Sequence, residues 1–113
     1  MQEHIQNELA SFIANCDWEK IAPHFKEDAA YRVLDWIGCA VAGEHYPQVE
    51  IAQKYFIENG DQGNSTVIGH QTKCSPRTAA FLNGIAGHVC ELDDGHRTAI
   101  GHPGSIAVPT ALA

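Results

Sequence analysis

Basic residues are scarce in this chain. Seven Lys and Arg stand against 14 Asp and Glu in 113 residues, for a formal net charge of −7. They form no run, and nucleic-acid affinity rests on clustered Lys and Arg, so no nucleic-acid partner is expected. No apolar stretch approaches the roughly 20 residues that cross a bilayer. The start, Met1-Gln2-Glu3-His4-Ile5, lacks the basic region and apolar core of a secretory signal. A cytoplasmic location without a membrane partner is the resulting expectation. Cys16, Cys39, Cys74 and Cys90 show no CxxC spacing, which removes a zinc ribbon and a thioredoxin-like redox pair. Their mostly apolar or helical neighbourhoods predict buried free thiols in a reducing compartment. GxGxxG, Walker A and GxSxG are all missing, so dinucleotide, nucleoside-triphosphate and hydrolase-elbow chemistry have no support.

What the chain does have is helix-forming pattern. Hydrophobic residues make up 44% and charged residues 19%, a balance that can bury a core. Ile5, Leu9, Phe12 and Ile13 recur at helical spacing and predict an amphipathic helix ending near Asn15. Pro23 suits a helix start, and Phe25, Ala29, Ala30, Val33, Leu34, Ile37 and Val41 make a longer stripe with Gly43 as its stop. Pro47 opens a third helix with Ile51, Ala52, Tyr55 and Phe56 on one face, closed by Asn59-Gly60. Asp61 to Asn64 reads as a turn. Ser65-Thr66-Val67-Ile68-Gly69 is the one strand candidate, with His70 to Lys73 returning the chain.

Ser75 as N-cap and Pro76 at the first helical position mark another helix entry. That helix is apolar nearly all round, which predicts burial. Gly84 and Gly87 inside it cost about 1 kcal/mol each relative to alanine, a cost that close approach of a neighbouring helix would offset. The segment from Ser105 to Ala113 begins a new apolar, helix-capable stretch and stops without a cap or polar tail. The expected fold class is mainly α, with at most one short β-strand or hairpin near 65–73. Residues 1–113 are expected to be the N-terminal portion of a longer helical domain.

Chemistry concentrates between Glu91 and Gly104. Glu91, Asp93, Asp94, His96, Arg97 and His102 fall within twelve positions without apolar periodicity. A buried helix delivers His88 and then this acidic loop, which is how a scaffold presents polar groups to a pocket. Carboxylates held close together or poorly solvated can serve as acids or bases. Pro103 restricts the backbone of His102, and an imidazole fixed in this way suits proton transfer near neutral pH. Arg97 can anchor a substrate carboxylate or pair with Asp93 or Asp94. In the plainer alternative Asp93 and Asp94 cap or solvate the loop while His96 and His102 sit on the surface. A metal site is a further alternative, because His88, Glu91, Asp94, His96 and His102 are all competent ligands. Their spacing matches no HExxH or EF-hand pattern, and no metal is assigned. His4, His24, His45 and His70 read as solvated.

Leu34-Asp35-Trp36-Ile37-Gly38-Cys39-Ala40-Val41-Ala42-Gly43, Ala79-Ala80-Phe81-Leu82-Asn83-Gly84, His88 through Asp94, and His102-Pro103-Gly104 stand in the order seen in the MmgE/PrpD family. The chain resembles roughly the first quarter of a member. That family includes 2-methylcitrate dehydratase, cis-aconitate decarboxylase and iminodisuccinate epimerase. The resemblance implies a mostly helical large domain built from both ends of a full chain, with a smaller lid domain that is not in this sequence. It implies cofactor-independent lyase or isomerase chemistry on a small di- or tricarboxylate, by a homodimer when full length. Elimination of water, as in 2-methylcitrate dehydratase, is the first expectation; decarboxylation or epimerisation is the alternative, and a non-catalytic helical module binding a divalent metal is the other. Glu91, Asp94 and His102 match the family's active-site pattern and are the catalytic candidates, with His102 as acid/base. Arg97, Asp93 and His96 are the substrate-binding candidates. Glu91 stands where the dehydratase and decarboxylase members carry Asp. Gly95 replaces a Thr, and the loop to His102 is one residue longer than in the decarboxylase. The isolated 113 residues are expected to be inactive, because further basic and imidazole groups of the family lie downstream.

Overall fold

The computed structural model describes residues 2–113. Five α-helices follow one another: α1 (Gln2–Ala14), α2 (Pro23–Gly43), α3 (Pro47–Glu58), α4 (Pro76–His88) and α5 (Gly104–Leu112). A 3₁₀ turn, Trp18–Lys20, links α1 to α2. Helices α2, α3 and α4 begin on prolines, whose fixed φ and missing N–H suit a first helical position. Asn59 caps the end of α3, and Gly60 follows at φ 78°, a left-handed conformation that glycine adopts without strain.

Helix α4 is central, packing against α2, α3 and α5. One core cluster gathers Trp36, Ala40, Val49 and Ala86, flanked by Ile37, Ile85, Val89 and Val108. A second joins Val67, Cys74, Ala79 and Leu82, flanked by Ala52 and Phe56. The glycines of α4 answer to close contacts. A Cβ on Gly87 would lie 2.5–2.8 Å from the Trp36 indole, and one on Gly84 would lie 3.2 Å from the Ser105 carbonyl oxygen. Pro109, inside α5, has no N–H to return to that carbonyl four residues earlier. Glycine at 84 therefore lets α5 lie close to α4 along this seam.

The helix is not buried all round, as its composition predicted. Phe81 is 52% exposed, because the side of α4 that carries it opens onto a cleft. On α1, Ile5, Leu9, Phe12 and Ile13 are all more than half exposed, so its apolar stripe has no partner among the described residues. The cysteines also divide. Cys39 and Cys74 are buried, and burial pushes both thiols up, whereas Cys16 is exposed and Cys90 only partly covered.

No strand forms among the described residues. The predicted strand contributes one antiparallel bridge, in which Ser65 and Cys74 exchange backbone hydrogen bonds of 3.1 Å. The Asn83 side chain takes the place of a neighbouring strand: its Oδ1 accepts from Ile68 N at 2.8 Å and its Nδ2 donates to Thr66 O at 2.9 Å. One buried amide on α4 thus satisfies two backbone groups that a sheet would otherwise pair.

At the start of α4, Ser75 Oγ accepts from Thr78 N at 3.3 Å while Asp61 accepts from Ser75 N at 3.0 Å and from Ser75 Oγ at 2.9 Å. Hydrogen bonds from Thr78 and Ser75 hold the Asp61 carboxyl below its ordinary value. The stability this contributes is present above the unfolded-state pKa and is lost as pH falls through the lowered folded value. Asp61→Asn should therefore flatten the acid limb of stability against pH, read by urea unfolding between about pH 5 and pH 3. Gly87→Ala should destabilise the protein by about 1–3 kcal/mol although alanine is the better helix former. An unchanged midpoint in urea would show that Trp36 does not require the glycine.

Candidate functional site

The site forms where α4 ends and α5 begins. His88 is the last residue of α4, and the chain leaves through Glu91 in a left-handed conformation, φ 51°. The two aspartates that follow are tied to the first turn of α5. Asp94 Oδ1 accepts from Gly104 N at 2.9 Å, which satisfies one of the unpaired donors of the helix start. Asp93 accepts a short hydrogen bond from Ser105 Oγ, and Ser105 Oγ in turn accepts from Trp36 Nε1 at 3.3 Å. Residues 96–101 close a tight turn, in which His96 N donates to Gly101 O at 2.9 Å and His96 Nδ1 accepts from Ala99 N at 3.0 Å.

Asp93 is the centre of this arrangement. Its side chain has 0% exposure, and both carboxylate oxygens lie 3.1 Å from His88 Nδ1. His102 Nδ1 lies 3.3 Å from Asp93 Oδ1, but it is buried and makes no hydrogen bond. The imidazole rings stand 4.7 Å apart at 61°. Burial pushes the Asp93 carboxyl up, yet hydrogen bonds from Ser105 and His88, with the charge of His88, outweigh it and hold the group below its usual range. An ionised carboxylate is thus kept inside the protein by the donors around it.

Both imidazoles keep about half their surface open, 47% for His88 and 38% for His102. They line a cleft of about 620 Å³ between α4 and α5, with Phe81, Ile85, Ile106 and Pro109 forming apolar walls. A smaller hollow of about 380 Å³ brings His96, Arg97 and His102 together with Gly95, Ile100 and Gly101.

The sequence candidates therefore divide. His102, His96 and Arg97 line these cavities and Asp93 lies buried behind His102, whereas Glu91 is exposed and lines neither, and Asp94 is engaged in capping α5. Asp93, expected to bind substrate, offers no exposed side-chain surface, so its contacts are with His88, His102 and Ser105. Arg97 makes no ion pair with Asp93 or Asp94 and faces solvent. His88, which the sequence offered only as a competent metal ligand, and Ser105, which it left without a role, are the neighbours of Asp93. The signal for His88 was its position at the mouth of the loop, but nothing in the spacing showed that Asp93 turns inward to meet it.

A profile of the MmgE/PrpD N-terminal domain matches residues 7–113. The chain belongs to the MmgE/PrpD family. A cis-aconitate decarboxylase-like protein of Aspergillus oryzae, oryM, is 31% identical over 110 residues. The match takes in 97% of this chain and 23% of that relative, so the chain spans about a quarter of the relative's length. No solved structure matches. Membership in the MmgE/PrpD family accords with the helical architecture, and no helix is long and apolar enough to cross a membrane among the described residues.

Ser105 holds Asp93 in place. Ser105→Ala removes the hydroxyl donor to a buried carboxylate and the acceptor of Trp36 Nε1. It should cost about 1–3 kcal/mol of stability in denaturant unfolding. A loss below a few tenths would show that Asp93 is satisfied without it.

Proposed function

We propose that this chain supplies one wall of the active site of a longer MmgE/PrpD-type lyase, acting without a cofactor on a small di- or tricarboxylate. The observation that carries the reading is the pair of half-open imidazoles on one buried carboxylate at the edge of a cleft. Nδ1 of His102 is turned to Asp93, which leaves the Nε2 edge of the ring for a ligand. Arg97 and His96, beside His102 in the smaller hollow, are placed to receive a substrate carboxylate. The cleft proper is lined by no Lys or Arg, so binding of further carboxylates falls to groups outside these 113 residues.

In the elimination we assign, His102 takes the proton from the carbon next to the substrate carboxylate. The C–H electron pair becomes a C=C bond, and hydroxide leaves the neighbouring carbon and departs as water with a proton from His88. Asp93 stabilises the imidazolium formed on His102 and fixes its ring, as the carboxylate does in a catalytic triad. Asp94 acts through the cap on α5, and the exposed Glu91 is open to a substrate hydroxyl or water. Decarboxylation is the second reading, favoured by the name of the Aspergillus oryzae relative. There a C–C bond to a carboxylate breaks, carbon dioxide leaves, and the imidazole returns a proton to carbon.

In the protein of full family length, His102→Ala should lower kcat by about 10²- to 10⁴-fold. Turnover within a few-fold of wild type would remove His102 from the chemistry. Product NMR with 2-methylcitrate and with cis-aconitate separates the reactions, since one gives loss of water and the other loss of carbon dioxide. The 113 residues alone should turn over neither.

A further inference from the structure

The His88–Asp93–His102 cluster leaves one polar atom unexplained. His102 Nδ1 is buried, 3.3 Å from Asp93 Oδ1, and has no hydrogen-bond partner. An imidazole nitrogen and a carboxylate oxygen at that distance repel unless a proton or a metal cation lies between them. His88 Nδ1 lies 3.1 Å from the same oxygen.

The two separations between Asp93 and the imidazoles suit neighbouring ligands of one cation. Ligands bound tetrahedrally at about 2.0–2.1 Å sit about 3.3 Å from one another. One donor atom from each of His88, Asp93 and His102 falls within 4.8 Å of the other two. Two imidazole nitrogens and one carboxylate oxygen favour zinc over magnesium or calcium, which take oxygen-rich sets. Ser105 Oγ bonds the other Asp93 oxygen and orients the carboxylate, as outer-shell partners of metal ligands do. The half-open His88 ring gives a route of entry.

We propose that His88 Nδ1, Asp93 Oδ1 and His102 Nδ1 form a zinc-class cation site, with a fourth position left to water, and that its occupation inhibits the enzyme. The inhibition rests on the acid–base role assigned to His102 above; the binding does not. With zinc on Nδ1, each imidazole carries its hydrogen on Nε2, and the His102 edge that faces the ligand can no longer accept a proton. Zinc is here a competitor for the site's machinery and takes no part in the reaction.

Calorimetry on the 113-residue chain tests the site without recourse to turnover. Zinc chloride should bind 1:1 with a dissociation constant at or below the micromolar range, and magnesium chloride should give no heat of binding. Cobalt(II) chloride should develop the intense visible bands of a four-coordinate site. His88→Ala should weaken zinc binding by at least about tenfold. His4→Ala, which removes an exposed imidazole paired with Glu8 on α1, should leave binding unchanged. Circular dichroism of His88→Ala confirms that its helices persist, and His88→Gln serves the same purpose if they do not. Failure of the wild-type chain to bind zinc, or equal binding by wild type and a folded His88 variant, would overturn the proposal. A loss of activity in His102→Ala would stand in either case, so the two readings fail separately.

Discussion

Everything near the site depends on one buried carboxylate. Asp93 has no exposed side-chain surface, so its charge is tolerable only with donors on every side. Those donors come from distinct elements: His88 from the end of α4 and Ser105 from the first turn of α5, with Trp36 of α2 bonding Ser105 from behind. Removing a partner would leave an uncompensated charge in the interior. The same contacts therefore hold three helices in register and hold two imidazoles at the rim of a cleft.

That arrangement needs close approach between helices, which small residues on α4 permit. Gly87 lies under the Trp36 indole and Gly84 against the Ser105 carbonyl. A larger residue at either place would displace the two groups that fix Ser105 and, through it, Asp93. Helix packing and site geometry are thus one constraint in this molecule. The apolar faces of α1 and of the cleft, by contrast, remain open in this chain.

The helix starts were legible because they are local. Pro23, Pro47 and Ser75-Pro76 act through the φ angle, the missing N–H and a side-chain cap, none of which needs a distant partner. The segment from Ser65 to Gly69 was less legible. Its β-branched residues favour extended backbone, but whether it pairs into a sheet depends on what lies beside it, and what lies beside it is the amide of Asn83. The cysteines show the same limit: Cys16 lies in the link after α1, which nothing covers among the described residues, so composition overstated its burial.

For the candidate site, the span from His88 to Gly104 stands out in the sequence, because charge without periodicity after an apolar helix is visible in one dimension. It also determined the family, through an ordered set of short motifs. Which acid meets which imidazole was a tertiary decision. Glu91, Asp93 and Asp94 are near neighbours in the chain, yet a left-handed residue at 91 and the cap on Gly104 send one to solvent, one inward and one to a helix start. Adjacent side chains in an irregular loop carry no fixed direction of their own. Only the packing of α5 against α4 chose the direction in which Asp93 points.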